Sequence, residues 1–112
     1  MESGAAPVKA YARRSGRIPR RANVILHRRD PEGRWTEIPA ETRVLSRHGC
    51  LVACPARLKL GDEVLLWSPE RVRGVQARVV FRPLSVTTHL VDIGFEFLDS
   101  DDFWAIEFPG VT

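Results

Sequence analysis

Residues 12–21 read Ala-Arg-Arg-Ser-Gly-Arg-Ile-Pro-Arg-Arg, and five of the ten are arginine. Arg13 and Arg17 stand four apart, as do Arg17 and Arg21. A guanidinium is a planar fork of N–H donors that matches phosphate oxygens and stacks on flat π faces. Two forks at this separation can hold two phosphates, or one phosphate and a purine face. Ser-Gly and Ile-Pro oppose a helix here, so the segment is expected to be a coil or turn, which can wrap a ligand. The competing reading of the same residues is a solvated basic arm that touches any polyanion.

A second place with chemical content is Thr42–Val52. It puts Ser46 and Gly49 three apart where one expected strand ends and the next begins. Ser46 offers a hydroxyl, and Gly49 permits a positive φ or the close approach of another backbone. Taken alone, this is an ordinary Ser/Gly turn. His27, His48 and His89 fall in three separate segments with no Asp or Ser at a motif spacing, so they suggest neither a triad nor a metal site. The chain has no Gly-x-Gly-x-x-Gly and no P-loop, and Gly94 reads as a bulge or close-approach glycine rather than a phosphate cradle. Cys50 and Cys54 would have Cα atoms about 13 Å apart on a strand. A disulfide spans at most about 7 Å, and the zinc spacing is missing, so two small buried or half-buried thiols are expected. An enzyme is the last expectation.

Charge is distributed unevenly. Residues 1–29 hold eight basic side chains against Glu2 alone, whereas residues 83–112 hold six acids and no Lys or Arg. The net charge of +3 conceals this. Fifteen of the 17 basic residues are arginine; GC-rich codon usage can explain that preference but not the clustering. The length of 112 residues suits one domain. With 44% hydrophobic and 28% charged residues, usage is ordinary for a globular chain. No apolar run approaches the roughly 20 residues of a membrane helix. The opening MESGAAPVKAYARR lacks the apolar centre of a secretory signal, which makes a cytoplasmic protein without membrane insertion the expectation.

The elements that must position these residues read as strands. Residues 1–11 are small, polar and without pattern, and suggest a flexible arm. Ala22–His27 is rich in β-branched residues, and Arg28–Arg34 carries the Asp-Pro and Gly of a hairpin turn. Trp35–Ser46 is a second run, expected to break or bulge near Pro39. Gly49–Ala53 and Glu63–Ser68 follow. In the fifth run Val75, Ala77, Val79 and Phe81 share one face, with Gln76, Arg78 and Arg82 on the other. In the sixth, Val91, Ile93, Phe95 and Phe97 alternate with Asp92, Gly94 and Glu96. Ser100, Asp101 and Asp102 then suit a helix start, with Phe103 and Trp104 on its apolar face and Pro109-Gly110 as its stop. Six short strands with closely spaced turns predict an all-β protein, a small closed antiparallel barrel with a short C-terminal helix over residues 100–108.

Together these pieces resemble the PilZ domain, the bacterial receptor module for cyclic di-GMP. That family carries Arg-x-x-x-Arg just before its first barrel strand; here it is Arg13-Arg-Ser-Gly-Arg17, followed by Ile18-Pro19. The family's Asp/Asn-x-Ser-x-x-Gly aligns with Val44-Leu-Ser46-Arg-His-Gly49. The C-terminal HLVDIGFEFLDSDDFWAI resembles the family's last strand and closing helix. The resemblance spans residues 12–108, leaving 1–11 as arm and 109–112 as tail. It departs from the pattern at Val44. In binding members the Asp or Asn there helps read the purine edge, and valine has neither donor nor acceptor.

The resemblance implies a PilZ-like split barrel that binds cyclic di-GMP as a ligand, with no prosthetic group and no enzymatic activity. Arg13 and Arg17 would take phosphate and guanine, and Ser46 and Gly49 would line the barrel wall. Arg14, Arg21 and Arg47 are weaker candidates, and Arg20, Arg21, Arg43 and Arg47 could add phosphate contacts in place of position 44. Ordering of the basic arm around the ligand would change the surface offered to a partner, expected to be another protein chain. The alternative is a degenerate PilZ-type adaptor that binds protein and no nucleotide, as in pilus or motility machinery. General nucleic-acid binding ranks lower, because single-strand binders interleave aromatics with their cations and no aromatic lies among residues 12–34.

Overall fold

A computed structural model describes residues 16–55, 57–84, 88–99, 102–106 and 108. The expected arm at 1–11, the tail at 109–112, and Arg13 and Arg14 lie outside the described residues. Seven strand segments follow one another: β1 (Arg17–Pro19), β2 (Asn23–Arg29), β3 (Trp35–Ser46), β4 (Gly49–Pro55), β5 (Glu63–Ser68), β6 (Arg73–Phe81) and β7 (Leu90–Phe97). All pairings are antiparallel, in the order β1-β3-β2-β5-β6-β7-β4, and a further β3–β4 pairing closes the sheet on itself.

The closed barrel has six staves, because β1 and β2 lie end to end along one edge of β3. Arg17–Pro19 faces Ser46–Val44, and Asn23–Arg29 faces Glu41–Trp35. Between them Arg20 N–H donates to the Arg43 carbonyl at 3.0 Å, and Thr42 N–H donates to the Ala22 carbonyl at 2.9 Å. Part of the arginine segment expected to be a coil is therefore strand. Residues 17–19 are only three long, but the exposed carboxyl-terminal half of β3 gives them a ladder to join.

Alternation along the staves fills the interior. Leu26, Ile38, Leu45, Val52, Leu66 and Ile93 are buried from five different strands. The expected break near Pro39 is absent. Pro39 stays in register with Ile25, and β3 is paired there on one side only, where a residue lacking N–H is tolerated. The irregularity falls instead between Thr42 and Val44. A second register shift lies between Val79 and Phe81. It takes Phe81 off the inward face it was expected to share with Val75, Ala77 and Val79 and leaves it 53% exposed.

Among the described residues there is no helix, and hence none long and apolar enough to cross a membrane. The helix expected over 100–108 is not formed at residues 102–106. Ala105 has φ 55°, outside the right-handed helical region. Phe103 and Trp104 are consecutive yet both buried. Their rings meet edge to face at 4.8 Å between centroids, and Phe103 meets Phe97 at 5.3 Å. An irregular turn places both aromatics on the barrel, and so short a segment gains too few internal hydrogen bonds to offset helix nucleation. Ser100 and Asp101, the expected cap, lie outside the described residues.

Candidate functional site

The β3–β4 hairpin fixes the centre of the site. Its two-residue turn, Arg47-His48, sets Ser46 opposite Gly49. On the far side of β3, Ser46 faces Arg17; on the far side of β4, Gly49 faces Glu96, which in turn faces Arg78 on β6. One row thus runs Arg17, Ser46, Gly49, Glu96, Arg78 across five strands. The next row runs Pro19, Val44, Leu51, Gly94, Phe81. Leu45 and Phe95, between these rows, point into the core. The side chains of both rows therefore stand on the outer wall of the barrel.

Small residues at Ser46, Gly49 and Gly94 make a depression there, an open groove of about 760 Å³. Arg17 stands at one side, Val80 and Phe81 at the other, and Glu96 and Val44 also line it. The volume lies within the usual range of ligand sites, about 300–1,000 Å³. The two glycines are needed for close packing. A Cβ on Gly49 would run into the Phe95 carbonyl oxygen, and one on Gly94 would sit 2.9 Å from Phe81 Cβ. Gly49 is thus a close-approach glycine, without a positive φ.

The polar row is sparse in internal contacts. The Ser46 hydroxyl donates to the Gly49 carbonyl at 3.2 Å. Arg78 Nε lies 3.9 Å from Glu96 Oε2, an ion pair too long for a hydrogen bond. Cys50 forms part of the groove wall but turns its thiol inward, where burial and the neighbouring Cys54 push its pKa up. The thiol is a neutral spacer there, not a nucleophile.

The profile of the PilZ domain family matches residues 11–102. The chain belongs to the PilZ domain family. No curated protein and no solved structure matches it significantly. PilZ domains form a family of cyclic di-GMP receptor modules, and of the residues aligned with its motifs Arg17, Val44, Ser46 and Gly49 lie among the described residues. Arg17, Ser46 and Gly49 converge on the groove, and Val44, at the position of the family's Asp or Asn, is half-buried in its wall. Arg47 sits in the β3–β4 turn and does not line the groove. Arg21 is exposed between β1 and β2 and does not line it either.

Two of the four arginines expected to compensate for position 44 are engaged elsewhere. Arg20 pairs with Glu70 at 2.9 Å, and Arg43 Nε donates to Asp92 Oδ1 at 3.0 Å. The PilZ groove also contains residues that the sequence reading left out: Leu51, Val80, Phe81 and Glu96. For Glu96 a signal was present, since it alternates with the inward Phe95 and Phe97. Its place opposite Gly49 depends on strand register, which sequence periodicity does not give.

Proposed function

We propose that the groove binds cyclic di-GMP and that the protein is a cytoplasmic, non-enzymatic effector that passes the signal to a partner protein. The observation that carries this reading is the convergence of Arg17, Ser46 and Gly49, far apart in sequence, on one row lining one groove. Arg17 supplies a charged fork for a phosphate oxygen or a stacking plane for guanine. Arg13, four residues earlier, supplies the second fork. Ser46 and Gly49 keep the floor low enough for the ligand to lie against the strands, and exposed Phe81 offers an apolar face for a base. Ordering of the basic arm around the ligand then changes the surface offered to the partner.

Calorimetric titration of the wild type and Arg17→Ala with cyclic di-GMP at two salt concentrations tests the proposal. A charge-assisted contact contributes about 1.5–3 kcal/mol, so Arg17→Ala is expected to bind at least about tenfold more weakly. Competition by duplex or single-stranded DNA, with salt dominating the affinity, would point to a general polyanion arm instead. A wild type silent at high micromolar ligand would replace the receptor reading with the adaptor.

A further inference from the structure

Glu96 is an odd residue for an anion's groove. It projects outward from β7 between Phe95 and Phe97, and its side chain is 33% exposed. Its neighbour across β4 is Gly49, so no β4 side chain stands between the carboxylate and Ser46. Its neighbour across β6 is Arg78, close enough at 3.9 Å to offset charge but too far to hydrogen-bond. Arg78 Nε is itself buried with no hydrogen-bond partner. Glu96 lines the groove, and among the described residues its carboxylate accepts no hydrogen bond.

The geometry points to Glu96 as the group that reads the guanine edge, taking over from β7 the role for which Val44 on β3 has no polar atom. This assignment rests on the cyclic di-GMP reading of the groove. An ionised carboxylate only accepts hydrogen bonds, through two oxygens side by side. Guanine presents two parallel donors on its Watson–Crick edge, N1–H and the N2 amino group. Adenine presents an acceptor, N1, beside its amino group, and meets a carboxylate with one bond and one repulsion.

Distance allows the division of labour. Arg17 and Glu96 are separated by three strand spacings, about 14 Å between backbones. Phosphate can sit at the arginine end while a base edge reaches the acid. Arg78 beside Glu96 limits the repulsion that a lone carboxylate would exert on the phosphates.

The test compares cyclic di-GMP with cyclic di-AMP on the wild type, Glu96→Gln and Glu96→Asp, with thermal unfolding of each as a check on folding. The wild type is expected to prefer cyclic di-GMP. Glu96→Gln should lose about tenfold or more in cyclic di-GMP affinity while cyclic di-AMP binding holds or improves. Glu96→Asp keeps the carboxylate and should keep the preference at reduced affinity, which controls for a fold disturbed by the amide. If Glu96→Gln tightens both ligands, or leaves their ratio unchanged, Glu96 is only a source of repulsion and the assignment is wrong. A wild type that binds neither dinucleotide removes the receptor reading itself, and this assignment with it.

Discussion

The Ser46 hydroxyl donates to the carbonyl of Gly49 across the β3–β4 turn, at 3.2 Å. The proton of that hydroxyl is thereby engaged within the hairpin, and the oxygen is left to accept from a ligand donor. The two motif residues thus divide their work: Ser46 ties the hairpin, and Gly49 lets β4 lie flush against β7.

Gly49→Ala tests that second role. The added methyl would meet the Phe95 carbonyl oxygen, a backbone atom that cannot rotate away. Overpacking of this kind costs about 1–3 kcal/mol. Thermal unfolding should show a clear drop in Tm, and a variant that melts with the wild type would show that the strands part easily there.

Thr42→Val should loosen β1. Thr42 is fully buried, its hydroxyl donates to the Arg20 carbonyl at 2.8 Å, and its N–H pairs with Ala22. These bonds pin the interruption between β1 and β2 three residues from Arg17. Removing the hydroxyl should cost about 1 kcal/mol in urea unfolding and also weaken cyclic di-GMP binding through a misplaced Arg17. Unchanged stability would mean that the hydroxyl does not hold this junction.

Val44→Asp should tighten cyclic di-GMP binding where a base edge that Glu96 does not already meet reaches position 44. Position 44 faces the groove beside Ser46, and its neighbour Arg43 is already paired with Asp92. A hydrogen bond to a base edge is worth about 1–3 kcal/mol when its partner would otherwise stay buried and unpaired, roughly tenfold to a hundredfold in affinity. Weaker binding in the titration would place phosphate, not base, nearest to position 44.

The thiols should be silent in the folded protein. Cys50 and Cys54 are free and both face inward from β4. Burial pushes Cys50 up, with Cys54 adding to it. Burial also pushes Cys54 up to about 11 from 9.0, against a lowering by Arg57 and with a further raising by Asp92. Only the thiolate reacts, so iodoacetamide at pH 8 should label neither cysteine until denaturant is added. The sign for stability follows. From pH 9.0 up to the folded value the unfolded chain releases thiol protons that the folded chain retains, so stability should fall as pH rises through that window.

Much of the barrel was legible because its signal is local. Val75–Val79 and Val91–Phe97 alternate cleanly, and Asp30, Pro31 and Gly33 mark their hairpin turn. What escaped depends on neighbours distant in sequence. Residues 17–19 become strand only because β3 outruns β2. Phe81 breaks its own alternation because β6 shifts register against β7. The interruption of β3 moved from Pro39, where one edge is unpaired, to the stretch next to Thr42, where both edges are engaged. Phe103 and Trp104 carried a helix-like signal that packing on Phe97 overrode. Ser46, Gly49 and Arg17 were legible as candidates through the family pattern, whereas the place of Glu96 in the same groove required knowledge of which strand lies beside β4.

Within the groove the polar row runs from Arg17 to Glu96 and has unlike ends, a cation on β1 and an acid on β7. Cyclic di-GMP is two-fold symmetric. A ligand held by both ends surrenders that symmetry on binding: one guanine meets the carboxylate, and its twin meets something else or nothing in this barrel. Were that second base left facing outward, a partner chain that stacked on it would sense the messenger directly instead of sensing only a reshaped protein surface.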